Sequence, residues 1–523
     1  MFYLLMKKFL MFLCILSIVC PAIYASNSPF AQSSVPNSIP DDEIRSVLND
    51  VYNVRFDQAE SKLKLLQGKY PGDVKGYFYG SVLYFYKAIS TRNEDAYDKY
   101  ISQADNVISK CDDLLDKDEN NIEALYYKGQ SHSYKSLLML SLNKNLLSAA
   151  SNGNTGYRIL SDIVEKRPDY YDAYMGLGLY KIAIGFVPEK FKWLLSIIGF
   201  KGNISNGIDM LRIAMQKGKY TKVDSKVFLS IFAMNEREED NSETVALTKQ
   251  LVEDYPESPV FKTLYAGMLM QVYKLDESID ILKQALSQNR NSLQGEVNKG
   301  IYFVLGNTYF RKADYVNAAY NLEESIKLNK FDDRYNVSLF TLGVSYEMTG
   351  NRSKAVELYK KVRKDFIDER DGEGEKFFYR LAQQKINEPF TIYDLLLLKA
   401  ENLRESGEFD HSINILSDAL NKEEYMKNIS GDNLIKIYFS LANSYERKRD
   451  DSKAEEFFLK AVSTKADKEM WMIPHSYYEL GKIYSRKGDR SRANQNFEKI
   501  YDYSDYDFKD FLEMRLANFK ARR

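Results

Sequence analysis

The residues best suited to chemistry are scarce and scattered. Only three histidines occur in 523 residues, His132, His411 and His475, and none has a second ligand at helical spacing. Metal binding of the His-Glu-x-x-His or paired-cysteine kind is thereby excluded. His475 stands just before a periodic helical segment and reads as solvent-facing. No nucleophile elbow and no Gly-Lys-Ser/Thr phosphate loop is present. Gly176-x-Gly178 lacks a third glycine and a preceding strand, so it reads as the small residues of a helix crossing. The stretch Asp116 to Tyr127 opens like a calcium loop, but Asn121 replaces the required glycine and Tyr127 the bidentate glutamate. It reads instead as a link between helices. The acidic runs Glu236 to Asp240 and Glu369 to Glu375 fall between helical patterns as solvated turns, and no acid and base pair can be drawn from them. No catalytic set, metal or cofactor follows, and the chain is expected not to be an enzyme.

What must carry any function is therefore a surface. Hydrophobic residues make up 44% and charged residues 28%, the balance of a folded soluble protein, and 523 residues exceed what one core supports. Several domains or a repeat array are the choices. The net charge of −1, with both signs mixed along the chain, gives no footprint for nucleic acid or an anionic membrane. The 40 tyrosines and 29 phenylalanines are rings of the size that fills the space between stacked helical hairpins.

The first residues have a different character. Lys7 and Lys8 precede an apolar run from Phe9 to Val19, followed by Cys20, Pro21 and Ala25. This is the pattern of a secretory signal over residues 1–25 with cleavage after Ala25. Lipidation at Cys20 is disfavoured by Val19, where such signals want a small residue. An exported, periplasmic or extracellular protein is expected, soluble once the signal is removed. Cys14 and Cys20 leave with the signal, so Cys111 remains as a lone thiol. Residues 26–41 read as a flexible spacer rich in Ser, Asn and Pro.

Beyond the spacer the pattern is helical throughout. One ladder repeats in register: Tyr302, Leu305-Gly306, Tyr309, Ala318, Leu322; then Leu339, Leu342-Gly343, Tyr346, Gly350, Ala355, Tyr359; then Tyr438, Leu441-Ala442, Tyr445, Ala454, Phe458; then Tyr477, Leu480-Gly481, Tyr484, Gly488, Ala493, Phe497. A weaker copy runs from Leu396 through Ala400, Gly407 and Phe409 to Ala419. Positions i, i+3, i+4 and i+7 make one face of a helix, and the small residue at the crossing admits the next helix. Gly350, Gly407 and Gly488 fall where the chain must turn, in a conformation glycine adopts at little cost.

These residues resemble the tetratricopeptide repeat family, of the exported bacterial type, whose unit of about 34 residues carries this ladder and often a terminal proline. Pro71, Pro168 and Pro256 match that last feature in the first half. The resemblance implies an all-α solenoid, a right-handed superhelix of roughly ten to twelve helix pairs. It would divide into an irregular half over 42–256, with an insert at 185–206, and a regular array over 257–523. Gly185 to Leu211, with its Gly199-Phe200-Lys201-Gly202 turn, is similar to the signature insert of tetratricopeptide proteins linked to inclusion-body and lipid-droplet clearance.

In stacked hairpins of this family the first helices line a concave groove. The resemblance places Phe303, Asn307, Phe310, Phe340, Val344, Glu347, Phe439, Asn443 and Tyr478 toward it. Rings bury area and asparagines pair with a peptide backbone, so a protein or peptide partner is implied. The alternative for each ring is burial between hairpins. The family's clamp for a carboxylate-ended tail is missing, because Phe303 and Thr341 occupy its lysine and second asparagine places. A second possible contact is the helix at 190–201, through Phe191, Trp193 and Ile197. It could lie at a bilayer interface or against a partner, or simply be buried. The oligomeric state is not legible.

Overall fold

A computed structural model describes residues 38–142, 144–185, 203–234, 241–288, 293–328, 335–363 and 373–521. Among them every regular element is a helix. The first ten are α1 (Asp41–Tyr52), α2 (Phe56–Lys69), α3 (Val74–Thr91), α4 (Glu94–Leu115), α5 (Ile122–Ser141), α6 (Leu146–Lys166), α7 (Ala173–Gly185), α8 (Ile204–Lys217), α9 (Lys222–Met234) and α10 (Ser242–Asp254). There follow α11 (Pro259–Gln271), α12 (Leu275–Gln288), α13 (Gln294–Arg311), α14 (Tyr315–Leu328), α15 (Tyr335–Met348), α16 (Arg352–Lys361), α17 (Glu373–Asn387), α18 (Ile392–Glu405) and α19 (Phe409–Asn421). The last are the short α20 (Glu423–Met426), then α21 (Gly431–Arg447), α22 (Asp451–Ser463), α23 (Met472–Arg486), α24 (Arg490–Lys499) and α25 (Lys509–Ala521). None of the described helices is long and apolar enough to cross a membrane.

The local signals act where the sequence puts them. Asp73, Asn93, Asn121, Asn203, Ser430 and Asp489 each accept a backbone N–H at the start of a helix. Thr391 and Asp394 form a reciprocal capping box. Asn121 thus caps α5, which accounts for the failed calcium loop. Pro71, Pro168 and Pro256 each stand two residues beyond the end of α2, α6 and α10. The turns at Gly350, Gly407 and Gly488 have φ of +83°, +83° and +79°. Ala313 and Arg449 make the same left-handed turn at +58° and +64° without glycine, so the hairpin geometry prevails over the residue's own preference.

The chain divides into two compact units, one of residues up to 268 with 284–298 and 517 onward, the other of 269–283 with 299–516. In the first, antiparallel pairs α1/α2, α3/α4, α5/α6, α7/α8 and α9/α10 pack in succession. At the α7/α8 crossing a Cβ on Gly178 would lie 2.7 Å from the Gly207 carbonyl, so only glycine permits the approach. This unit also closes on itself. Asp224, in the first turn of α9 and only 3% exposed, accepts hydroxyls from Tyr52 of α1 at 2.6 Å, Tyr86 of α3 at 2.5 Å and Tyr134 of α5 at 3.2 Å. Asp172 fixes the preceding turn by accepting the N–H groups of Lys219, Tyr220 and Thr221. Tyr52 in turn packs edge-on against Tyr86 and Tyr255. Burial pushes the Asp224 carboxyl above its ordinary range despite the three hydroxyls that lower it.

In the second unit, α15/α16, α18/α19, α21/α22 and α23/α24 are the repeated hairpins, and Gly306 of α13 meets Leu322 of α14 in the same manner. The small residues Ala318, Ala355, Ala454 and Ala493 are all buried. Between α16 and α18 lies α17, which has no hairpin mate among the described residues.

Candidate partner-binding face

The nine residues expected on the groove divide into two groups. Phe303, Val344 and Tyr478 are buried, at 7%, 4% and 4% exposure. Phe303 lies in a core cluster with Leu322, Leu339, Leu342, Tyr359 and Ala382. Tyr478 packs on Phe497 beneath the Arg515 guanidinium. The alternative of burial between helices therefore holds for these three: Phe303 is enclosed with Leu322, Leu339 and Leu342 of the neighbouring α14 and α15, and Arg515 of α25 lies over Tyr478. The carboxylate of Glu347 is also nearly covered and accepts from Arg352 at 2.6 Å, leaving it committed to an internal ion pair.

Phe310, Phe340 and Phe439 are half-buried. Phe310 meets Tyr315 edge-on, Phe340 meets Phe378 and Phe439 meets Trp471. Asn307 and Asn443 are half-buried as well, each turning its amide back to donate to the carbonyl four residues earlier, Phe303 at 2.8 Å and Phe439 at 2.7 Å. The corresponding stripe on α13 and α21 is thus Phe followed by Asn one turn on. Phe191, Trp193 and Ile197 lie outside the described residues, as do the acidic residues 236–240 and most of 369–375.

Sequence reasoning missed what faces this stripe. From α17, Phe378, Tyr379, Ala382 and Ile386 lean on the cluster around Phe340 and Tyr359. From its other side, Phe377 meets Trp471 and Phe508 at centroid distances of 6.2 and 4.9 Å. Arg380 reaches Asp507 at 2.7 Å and the buried Glu469 at 3.4 Å. Glu469 also takes Lys436 at 3.2 Å and the Trp471 indole N–H at 2.8 Å. The i, i+4 spacing of Phe378, Ala382 and Ile386 was visible, but nothing in it marks the receiving surface.

His475 corrects the reading of a solvent-facing ring. It is 6% exposed and lies against Trp471 and Phe511, because α25 returns over α23. His132 is paired with Asn152 at 2.7 Å, and burial lowers its basicity. His411 sits exposed beside Glu408. No cluster of three or more potential metal ligands occurs among the described residues.

Residues 173–389 match the family model described as Iml2/Tetratricopeptide repeat protein 39. Residues 435–468 and 474–505 match that of the tetratricopeptide repeat. The chain is a tetratricopeptide-repeat protein, and its helical solenoid belongs to that class. Such repeats form protein-interaction scaffolds. The first match includes Gly185 to Leu211. No curated protein sequence is significantly similar. Among solved structures, yeast Tom70 is 12% identical over 88% of this chain and 99% of its own, with a TM-score of 0.31. Human IFIT1, as a dimer with PPP-AAAA, is 14% identical over 89% and 95%, with a TM-score of 0.32. A tetratricopeptide repeat protein from Parabacteroides merdae is 15% identical over 57% and 98%, with a TM-score of 0.24.

Proposed function

We propose that this protein is an exported, non-catalytic scaffold that holds a protein or peptide partner in the cell envelope. The observation that carries the reading is the stripe of half-buried residues on the first helices of the second unit: Asn307 and Phe310 on α13, Phe340 on α15, Phe439 and Asn443 on α21. Rings that are neither sealed in a core nor fully solvated gain burial when a partner covers them. The basic and apolar leader from Lys7 to Val19 supports export.

Affinity capture from the native envelope with the chain from residue 26 onward tests the partner. Phe439→Ala with Asn443→Ala should lose the captured species that the wild type retains. Identical captures would rule out this stripe as the site. Cell fractionation with mass determination of the mature N-terminus tests export. A product beginning at residue 26 outside the cytoplasm is expected, and an uncleaved cytoplasmic chain would remove the envelope from the reading.

A further inference from the structure

Helix α17 sits on the repeats in the manner of a bound ligand. One side of it, Phe378, Ala382 and Ile386, lies at i, i+4 and i+8 against the α15/α16 hairpin around Phe340 and Tyr359. The other side presents Phe377 and Arg380 to Trp471, Phe508, Glu469 and Asp507. The buried acid is more deeply set than the arginine it receives, while Trp471 and Phe508 are half-buried like the rings that meet them. Glu469 is 3% exposed as a side chain, whereas Arg380 is 31% exposed, and Phe377, Phe378 and Tyr379 are only half-buried. Arg352 donates to the carbonyls of Lys385 and Ile386 at 2.6 and 3.3 Å, closing the C-terminal end as a cation closes a helix dipole. Anchors at helical spacing, a fixed buried acid for one arginine and a capped end are the components of helix-in-groove recognition.

We infer that this cleft of the second unit is a receptor for an amphipathic helix, that α17 is its resident occupant, and that the scaffold's partner competes through a helix of the same chemistry. Such a helix carries two adjacent aromatic residues, an arginine two residues after the second, and small or branched apolar residues at four-residue steps. The inference rests on the scaffold reading for its biological partner, but the cleft can be tested without one.

The probe is a capped, fluorescent peptide of residues 373–387. Against the full chain carrying Phe377→Ala and Arg380→Ala, which loosens the resident helix, the peptide should bind at least about tenfold more tightly than against the wild type. Adding Glu469→Gln should weaken that binding again. No binding to the loosened variant with its helical spectrum intact, or equal binding to both, would overturn the inference. If the double variant does not fold, hydrogen exchange of the wild type decides. Amides of α17 should exchange through openings cheaper than those of α15 and α21, and exchange only with global unfolding would make α17 a fixed part of the array. Failure of the peptide with a retained envelope partner sinks this inference alone. Peptide binding with no envelope partner sinks only the scaffold.

Discussion

The hydroxyl of Tyr86 donates to the Asp224 carboxylate at 2.5 Å across 138 residues of sequence. With Tyr52 and Tyr134 on the same carboxylate, one acid ties α1, α3, α5 and α9 together. A repeat stack ordinarily gains stability from nearest neighbours. Here the first unit adds a contact that joins its first helix to its ninth.

Replacing that acid by an isosteric hydrocarbon leaves three buried hydroxyls without an acceptor. Asp224→Leu should destabilise the first unit by ~2–5 kcal/mol, read as earlier loss of hydrogen-exchange protection in α1, α3 and α9. The pH dependence has a defined sign. Burial raises the folded carboxyl above its unfolded value, so the native state binds more protons in that window and stability falls as pH rises through it. Urea titrations of the wild type should show this slope above the ordinary aspartate range and Asp224→Asn should lose it. A slope unchanged in the variant would show that another group titrates.

Glu479 should behave with the opposite sign. Burial by itself raises its carboxyl, but Lys482 at 2.7 Å and Arg515 at 3.0 Å hold it well below the usual carboxylate range. Its contribution is therefore present above the unfolded glutamate value and is lost as pH falls toward the depressed one. Glu479→Gln should lower stability at neutral pH by ~1–3 kcal/mol, and the gap from wild type should narrow on acidification. A gap that stays constant with pH would contradict the assignment.

The hairpin crossings leave no room for a methyl group. A Cβ on Gly343 would overlap the Tyr359 ring, and one on Gly481 the Phe497 ring. Each glycine-to-alanine change should cost ~1–3 kcal/mol. Gly72→Ala, with open space around it, should stay within ~0.5 kcal/mol. Thermal melts of the three variants side by side give the comparison, and equal midpoints would mean the hairpins can spread to accept the methyl groups.

Cys111 is fully buried on α4, and burial pushes its thiol up to about 12. The reactive thiolate is therefore scarce at neutral pH. A thiol reagent at pH 8 should leave the folded protein unmodified and label Cys111 promptly in denaturant. Fast labelling of the native chain would place the thiol at the surface.

The sequence by itself determined the helical class and the hairpin unit, since the Leu-Gly pair, the following tyrosine and the small residue of the second helix act over one or two turns. Caps at Asn121 and Thr391, prolines after α2, α6 and α10, and the left-handed turns at Gly350 and Gly488 are local for the same reason. Tertiary structure decided what those helices face. Phe303 and Tyr478 share a register with the half-open Phe439, yet Phe303 is enclosed by Leu322, Leu339 and Leu342 and Tyr478 lies under Arg515 of α25, and such coverage depends on segments tens of residues away. His475 was misread on the same ground, as α25 returns over it. Tyr52 and Tyr86 stand one repeat length of 34 residues apart, but Tyr134 and Asp224 keep no such step, so spacing does not reveal the cluster, because a solenoid's curvature sums small rotations at every hairpin. No single stretch of sequence encodes that sum.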